Sequence, residues 1–168
     1  MDVYKTMATH LETARLTLRP WTDADAGDLR ELFGERGTGM PDMAEAKRDV
    51  EVLRERTESS GIALLPVQRR AEGDFIGYCG LVIGRSTLEE PEIAYELFRR
   101  VHGFGYATEA GQAVVEAAAA TGRERLWATV RTWNTASFRV LDKLGFTRDR
   151  VTEDERGELV WLTRTLAG

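Results

Sequence analysis

Two glycines one residue apart, Gly103 and Gly105, stand directly ahead of an alanine-rich run, within the stretch R-V-H-G-F-G-Y-A-T-E-A from Arg100 to Ala110. Glycine admits backbone torsions that other residues resist and lets the main chain come close to a ligand. The first turn of the helix that follows carries unpaired N–H groups and the positive end of a dipole. Together these form a seat for an anion such as a pyrophosphate. No Gly-Lys-Ser/Thr follows, so this is not a Walker A loop. A bare Gly-x-Gly also fits a plain strand-to-helix turn, and the flanking sequence has to decide between the two.

A pyrophosphate could belong to a dinucleotide or to coenzyme A. A dinucleotide fingerprint places Gly or Ala at the sixth position, where this chain has Thr108, too bulky for close helix–strand packing. An acidic residue should also close the next strand about twenty residues on. Glu124 lies near that distance but precedes the strand Leu126–Val130. The nicotinamide reading therefore loses.

The 168 residues suffice for one domain with a full core. Net charge is −5, from 23 basic and 28 acidic groups, which argues against a nucleic-acid partner. An acidic surface is compatible with a cationic amine substrate. The single cysteine, Cys79, falls in the apolar run Phe75–Ile83 and reads as a small buried hydrophobe. His10 and His102 are far apart and no metal-ligand cluster accompanies them, so no metal is expected. No stretch approaches the ~20 apolar residues of a membrane span, and residues 1–10 lack a hydrophobic signal core and read as a flexible extension. A cytoplasmic location is the default expectation.

Along the chain, Arg15–Arg19 alternates as a first strand that Pro20 ends, and Thr22 with Asp25 resembles a capping box opening a helix that stops near Gly34. Glu35–Pro41 reads as a loop, and about 44–57 as a second helix. Strands follow at Ile62–Gln68, Phe75–Ile83 and Ile93–Phe98, the last feeding straight into the glycine loop. Then come a helix at Thr108–Thr121, a strand at Leu126–Val130 and a helix at Thr135–Leu144, capped by Asn134 and closed by Gly145 with Phe146 in a Schellman position. Phe146–Val151 and Leu159–Leu166 complete seven strands. The order predicts an α/β (α+β) domain of mixed sheet and four helices, with a right-handed crossover from Ile93 to Val130 and a ligand at the carboxyl end of the strand before the loop.

Four segments then resemble the GNAT N-acetyltransferases, in particular their RimJ/RimL-like branch: T-A-R-L-T-L-R-P-W at Thr13–Trp21, F-I-G-Y-C-G-L at Phe75–Leu81, Arg100–Ala110, and N-T-A-S-F-R-V-L-D-K-L-G-F at Asn134–Phe146. They span nearly the whole chain in the family's order. The resemblance implies a single GNAT domain with a mostly antiparallel sheet and a splayed parallel central pair. It implies acetyl-CoA as donor and a primary amine as acceptor, either a protein N-terminal α-amine or a small-molecule amine. Related enzymes are often dimers, and nothing in the chain settles that.

The resemblance assigns the pyrophosphate to the main chain of Arg100, Val101, His102, Gly103, Phe104 and Gly105, with Tyr106, Ala107 and Thr108 opening the helix. It assigns the pantetheine arm and the thioester carbonyl to backbone N–H groups near Leu97, Phe98 and Arg99, and a further arm contact to Asn134, whose alternative role is helix cap alone. Attack requires a neutral amine. Glu92 is the candidate base and Glu96, four positions on and on the same sheet face, the runner-up. Many GNATs protonate the departing thiolate from a tyrosine on the last helix; here that position is Leu141, which cannot donate. Ser137, one turn earlier, matches a serine of the RimL-like branch and is the candidate donor. His102 reads as packing or facing solvent, and Tyr95, Tyr106 and Trp133 as core or cofactor-packing aromatics. The missing tyrosine keeps one alternative open, a module that senses acyl-CoA without turnover.

Overall fold

Apolar alternation pairs the strands, and caps at Thr22, Asp42 and Asn134 set where helices begin. In the computed structural model, which describes residues 3–166, the strands are β1 (Leu11–Glu12), β2 (Leu16–Leu18), β3 (Leu64–Arg69), β4 (Phe75–Val82), β5 (Glu92–Leu97), β6 (Arg125–Arg131), β7 (Thr147–Asp154) and β8 (Gly157–Thr165). The helices are α1 (Ala26–Gly34), α2 (Met43–Ser60), α3 (Tyr106–Ala120) and α4 (Thr135–Lys143).

The strands form one sheet in the order β1-β2-β3-β4-β5-β6-β8-β7. Every neighbouring pair is antiparallel except β5–β6. Eight strands stand where seven were expected. The additional one is β1, which pairs Leu11 with Leu18 and Glu12 with Thr17 and is too short to display a period of two. The stretch expected to be a flexible extension is tied down where it is described. Lys5 N–H donates to Thr121 O (2.9 Å), Met7 N–H donates to Gly61 O (2.8 Å), and the Met7 side chain is buried in the core.

Local chemistry explains the helix ends. The Thr22 N–H donates to Asp25 Oδ2 (2.8 Å), and a single 3-10 turn, Asp23–Asp25, leads into α1. Asp42 Oδ1 accepts from Glu45 N–H (2.8 Å) to open α2, which runs three residues past its expected end and stops at Gly61, φ +74°. At the end of α4, Gly145 N–H donates to Asp142 O (3.0 Å) and Phe146 N–H to Leu141 O (2.9 Å). With Gly145 at φ +85° this is a complete Schellman closure.

Tyr95 contacts Ser137 of α4, whereas its neighbour Glu96 contacts Arg36 just beyond α1. Adjacent strand residues point to opposite faces, so the two helical layers cover opposite faces of the sheet. Helix α3 crosses β2, β4 and β5 and presents Ala110, Gly111, Val114 and Ala118 to the core. A Cβ at Gly111 would collide with Leu144, so the glycine is what lets α3 and the end of α4 approach.

The β5–β6 pair has a single register match, Glu92 with Trp127, and Trp127 N–H donates to Pro91 O (3.0 Å). Past that point the two parallel strands part. Among the described residues no helix is long and apolar enough to cross a membrane, and no group of three or more His, Cys, Asp or Glu could hold a metal ion.

Candidate active site

The parting of β5 from β6 leaves strand amides unpaired. Phe98 N–H donates to Ile76 O (2.9 Å), directly across the β4–β5 register. Hydrogen-bonded and non-bonded pairs alternate in an antiparallel ladder. Glu96 is therefore bonded to β4, while Tyr95 and Leu97 turn their N–H groups toward the gap. Of the three residues expected to offer amides there, Leu97 alone is free to do so. Phe98 is bonded to Ile76, and Arg99 N–H is taken by Glu35 Oε1 (2.9 Å).

Beyond β5 the chain makes a 3-10 turn, Arg99–Val101, and enters α3 through Gly103 (φ +86°) and Gly105 (φ +81°). Nothing lies within 4 Å of where a Cβ on Gly103 would sit. Gly105 is the N-cap and has no side chain to cap with, so the first amides of α3, from Tyr106 to Thr108, remain open. His102 Nε2 lies 2.9 Å from Leu97 O. A carbonyl can only accept, so this nitrogen carries the proton and the ring ties the loop to the end of β5.

A cavity of about 440 Å³ joins these parts, within the range of small-ligand clefts. Its wall includes Tyr95, Glu96 and Leu97 from β5, and Val101, His102, Gly103, Gly105, Tyr106, Ala107 and Thr108 from the loop and α3. Asn134, Ser137, Arg139 and Lys143 line the far side. Asn134 Oδ1 accepts from Ser137 N–H (3.3 Å) while lining the cavity, so capping and wall-building coexist in one side chain.

Other expected residues stand outside this wall. Phe98 is buried edge-on against Phe75, with ring centroids 6.2 Å apart. Arg99 bonds Glu35 O through Nη2 (2.7 Å), and Arg100 bonds Asp74 Oδ2 (3.0 Å) and Phe75 O (3.3 Å). Phe104 is 61% exposed. Trp133, expected as a core or cofactor-packing aromatic, is 77% exposed and so is no part of the core.

Neither candidate base is an unengaged carboxylate. Glu92, 5% exposed, sits at the point where β5 and β6 part rather than in the cavity wall. Its Oε1 accepts from Thr129 Oγ1 (2.6 Å) and its Oε2 from the Arg85 backbone N–H. A Cβ at Gly84 would collide with it. Glu96 does line the cavity, but Arg36 grips it through Nε (3.0 Å) and Nη2 (2.6 Å), and Tyr78 donates a third bond (2.7 Å). Burial, reinforced by the Glu96 charge, pushes the Tyr78 phenol well above the usual tyrosine range.

Two contributors escaped the sequence reading. Tyr95, expected to pack in the core or against the cofactor, places its hydroxyl 3.2 Å from Ser137 Oγ. Arg15 of the first motif lies over the Tyr106 ring, 4.3 Å from its centroid, with Nε 2.7 Å from Glu109 Oε1. Burial pushes the Glu109 carboxyl up, but bonds from Thr13 and Arg15 outweigh it and hold the group below the usual range. The partners are 94 residues apart, so no local signal joins them, although the R-L-T-L-R alternation already placed Arg15 at the start of a strand.

An uncapped helix N-terminus behind two glycines of positive φ, beside a strand separated from its parallel neighbour, is the construction of an acyl-coenzyme A transferase, and the residues present fit that ligand. A family model of the acetyltransferase (GNAT) domain matches residues 15–147. The chain belongs to the GNAT acetyltransferases, enzymes that use acetyl-CoA. It is 31% identical to the N-acetyltransferase YoaA of Bacillus subtilis (strain 168) over 150 residues, 84% of this chain and 84% of YoaA. Among solved structures it resembles an acetyltransferase from Agrobacterium tumefaciens str. C58, with 26% identity, TM-score 0.79 and 98% of each chain covered. Its fold also resembles RimL, a ribosomal α-N-protein acetyltransferase in complex with coenzyme A, with 15% identity, TM-score 0.81 and coverage of 93% of this chain and 97% of RimL.

Proposed function

We propose that this acetyltransferase modifies a primary amine of low basicity, the α-amine of a peptide N-terminus or a comparable small-molecule amine, by direct attack within a ternary complex. One observation carries the reading: both carboxylates near the parted strands are already engaged, Glu92 by Thr129 and Arg85, Glu96 by Arg36 and Tyr78. An α-amine has a pKa of ~7.7–8.0 and is roughly a tenth neutral at pH 7, whereas a lysine amine at ~10.4 needs a base. A site without a free base suits the first. The likeness to RimL supports the same choice at the level of fold.

Bound acetyl-CoA supplies a thioester carbonyl and a thiolate leaving group. The open amides from Gly103 to Thr108 hold the pyrophosphate, each such contact contributing about 0.3–1 kcal/mol, so the grip is shared and no single side chain carries it. Asn134 meets the pantetheine arm. The Leu97 N–H polarises the carbonyl, and a donor placed where negative charge develops lowers a barrier by ~3 kcal/mol. Ser137 donates to the departing sulfur. Glu92 fixes Thr129 and the turn at Arg85; a base role for it would pass through Thr129 Oγ1.

The test is incubation of pure protein with acetyl-CoA and matched peptides, one set with a free N-terminus and no lysine, the other N-terminally blocked with one lysine. Mass spectrometry should show one acetyl group gained by the free-N-terminus set at least tenfold faster. Equal or faster acetylation of the lysine set would reject the α-amine reading. Bound coenzyme A with no thiol release from any amine would reject amine acetylation itself.

A further inference from the structure

Helix α4 offers no tyrosine to the cavity, because the position is Leu141, 1% exposed and packed in the core. Ser137 is the residue of α4 with a hydroxyl in the cavity wall. A serine hydroxyl rotates freely and directs its proton only if something fixes its oxygen. Here two partners fix the residue. Asn134 Oδ1 takes its N–H (3.3 Å), and the Tyr95 hydroxyl lies 3.2 Å from Oγ and 3.4 Å from its carbonyl oxygen.

We propose that Tyr95 is a positioning residue that donates to Ser137 Oγ and so aims the Ser137 proton into the cavity, at the sulfur that leaves when the acetyl group is transferred. The inference rests on the acetyl-transfer reading above. Tyr95 belongs to β5 and Ser137 to α4, so the pair bridges the two walls of the cavity. Among the described residues the phenol has no hydrogen-bond partner outside Ser137, and no protein atom accepts the Ser137 hydroxyl proton. Tyr95 faces Cys79 across the β4–β5 register, and that thiol is fully buried. Packing alone would be served there by phenylalanine, since a buried hydroxyl costs free energy unless it is bonded. Burial pushes the phenol up to about 12, so Tyr95 keeps its proton and remains a donor.

The exchange balances without any further reactant. A C–N bond forms and the C–S bond breaks. Ser137 passes its proton to sulfur, and the proton shed by the attacking nitrogen restores Ser137 through solvent. Tyr95 ends as it began.

The experiment compares the wild-type protein with Tyr95→Phe, Ser137→Ala and the double variant, each saturated with coenzyme A. The first readout needs no turnover: thiolate absorbance of the bound coenzyme is followed against pH. A hydrogen bond aimed at sulfur favours the thiolate, so the bound thiol should titrate at lower pH in the wild type and shift upward equally in all three variants. The second is turnover with acetyl-CoA and the free-N-terminus peptides. Both single variants should lose roughly 10- to 100-fold in kcat with KM for acetyl-CoA unchanged, and the double variant should lose no more than either. A Tyr95→Phe protein with wild-type titration overturns the proposal, as do single losses that multiply. Absence of wild-type turnover with these peptides and with every other amine tried would reject the acetyl-transfer reading, and the thiol titration would still decide whether Tyr95 aims Ser137.

Discussion

Arg36 clasps Glu96 with two hydrogen bonds, 3.0 and 2.6 Å long, across 60 residues of sequence, and thereby fastens the loop after α1 to the strand that forms one wall of the cavity. The pair is partly exposed, with side chains 46% and 25% accessible. Its net contribution to stability is therefore small, about 1 kcal/mol or less. Its chemical effect is larger, because it occupies the carboxylate of the one acidic residue that lines the cavity.

Replacing Arg36 with alanine should leave that carboxylate held by the Tyr78 hydroxyl alone and free its other oxygen. Acetylation of N-terminally blocked lysine peptides is expected to rise several-fold relative to free-N-terminus peptides, with the thermal midpoint only slightly lower. The ratio of the two rates, measured by mass spectrometry, is the check. An unchanged ratio would mean that Glu96 has no access to the acceptor.

Gly105→Glu should cripple donor binding. The residue takes φ +81°, where an L side chain costs about 1–2 kcal/mol, and a carboxylate would stand before the open amides of α3. Coenzyme A affinity should fall tenfold or more by calorimetry while the protein still melts cooperatively. Undiminished affinity would place the pyrophosphate elsewhere.

Asp25 gives the fold a definite pH dependence. Its carboxylate, 3% exposed, is pushed up by burial, but bonds from Arg19 and Thr22 outweigh this and hold it below the usual range. A depressed folded value means stability that is present above the unfolded aspartate value of ~3.9 and is lost as pH falls through the folded value. Asp25→Asn should cost about 2 kcal/mol at neutral pH, less than a fully buried pair because the Arg19 side chain is 26% exposed. In urea titrations the wild type and the variant should converge as pH drops below about 4. A gap that persists at pH 2 would remove the ion pair as its cause.

Cys79 should be inert in the native state. It is fully buried, and burial pushes its thiol up to about 12. A thiol-specific chromogenic disulfide should release no colour from folded protein and one equivalent after denaturation, matching the single cysteine. Rapid labelling of native protein would show that the face of β4 beneath α3 opens.

The features readable from the chain were those written within a few residues. The Thr22–Asp25 turn, the Asn134 cap and the Gly145–Phe146 closure are each a short local code, and each formed. The two glycines before α3 likewise announced an open helix end. Strand β1 was not legible, because two residues carry no period. The engagement of Glu96 by Arg36 and of Tyr95 by Ser137 was also hidden. Those partners are 60 and 42 residues apart, and only the folded sheet and helices bring them together. For Glu92, strand position was legible, but the Arg85 amide and Thr129 hydroxyl that engage its carboxylate were not.

The His102 bond to the last carbonyl of β5, 2.9 Å long, ties the glycine loop to the residue whose amide faces the gap. Under the proposed seating of the pyrophosphate, a ligand held by its charged end is indexed along the strand, and the atom presented at Leu97 is set by how far it lies from that charge. Donors sharing a head group but differing in tail length would present different atoms there, so the spacing between anchor and amide selects among them before any chemistry begins.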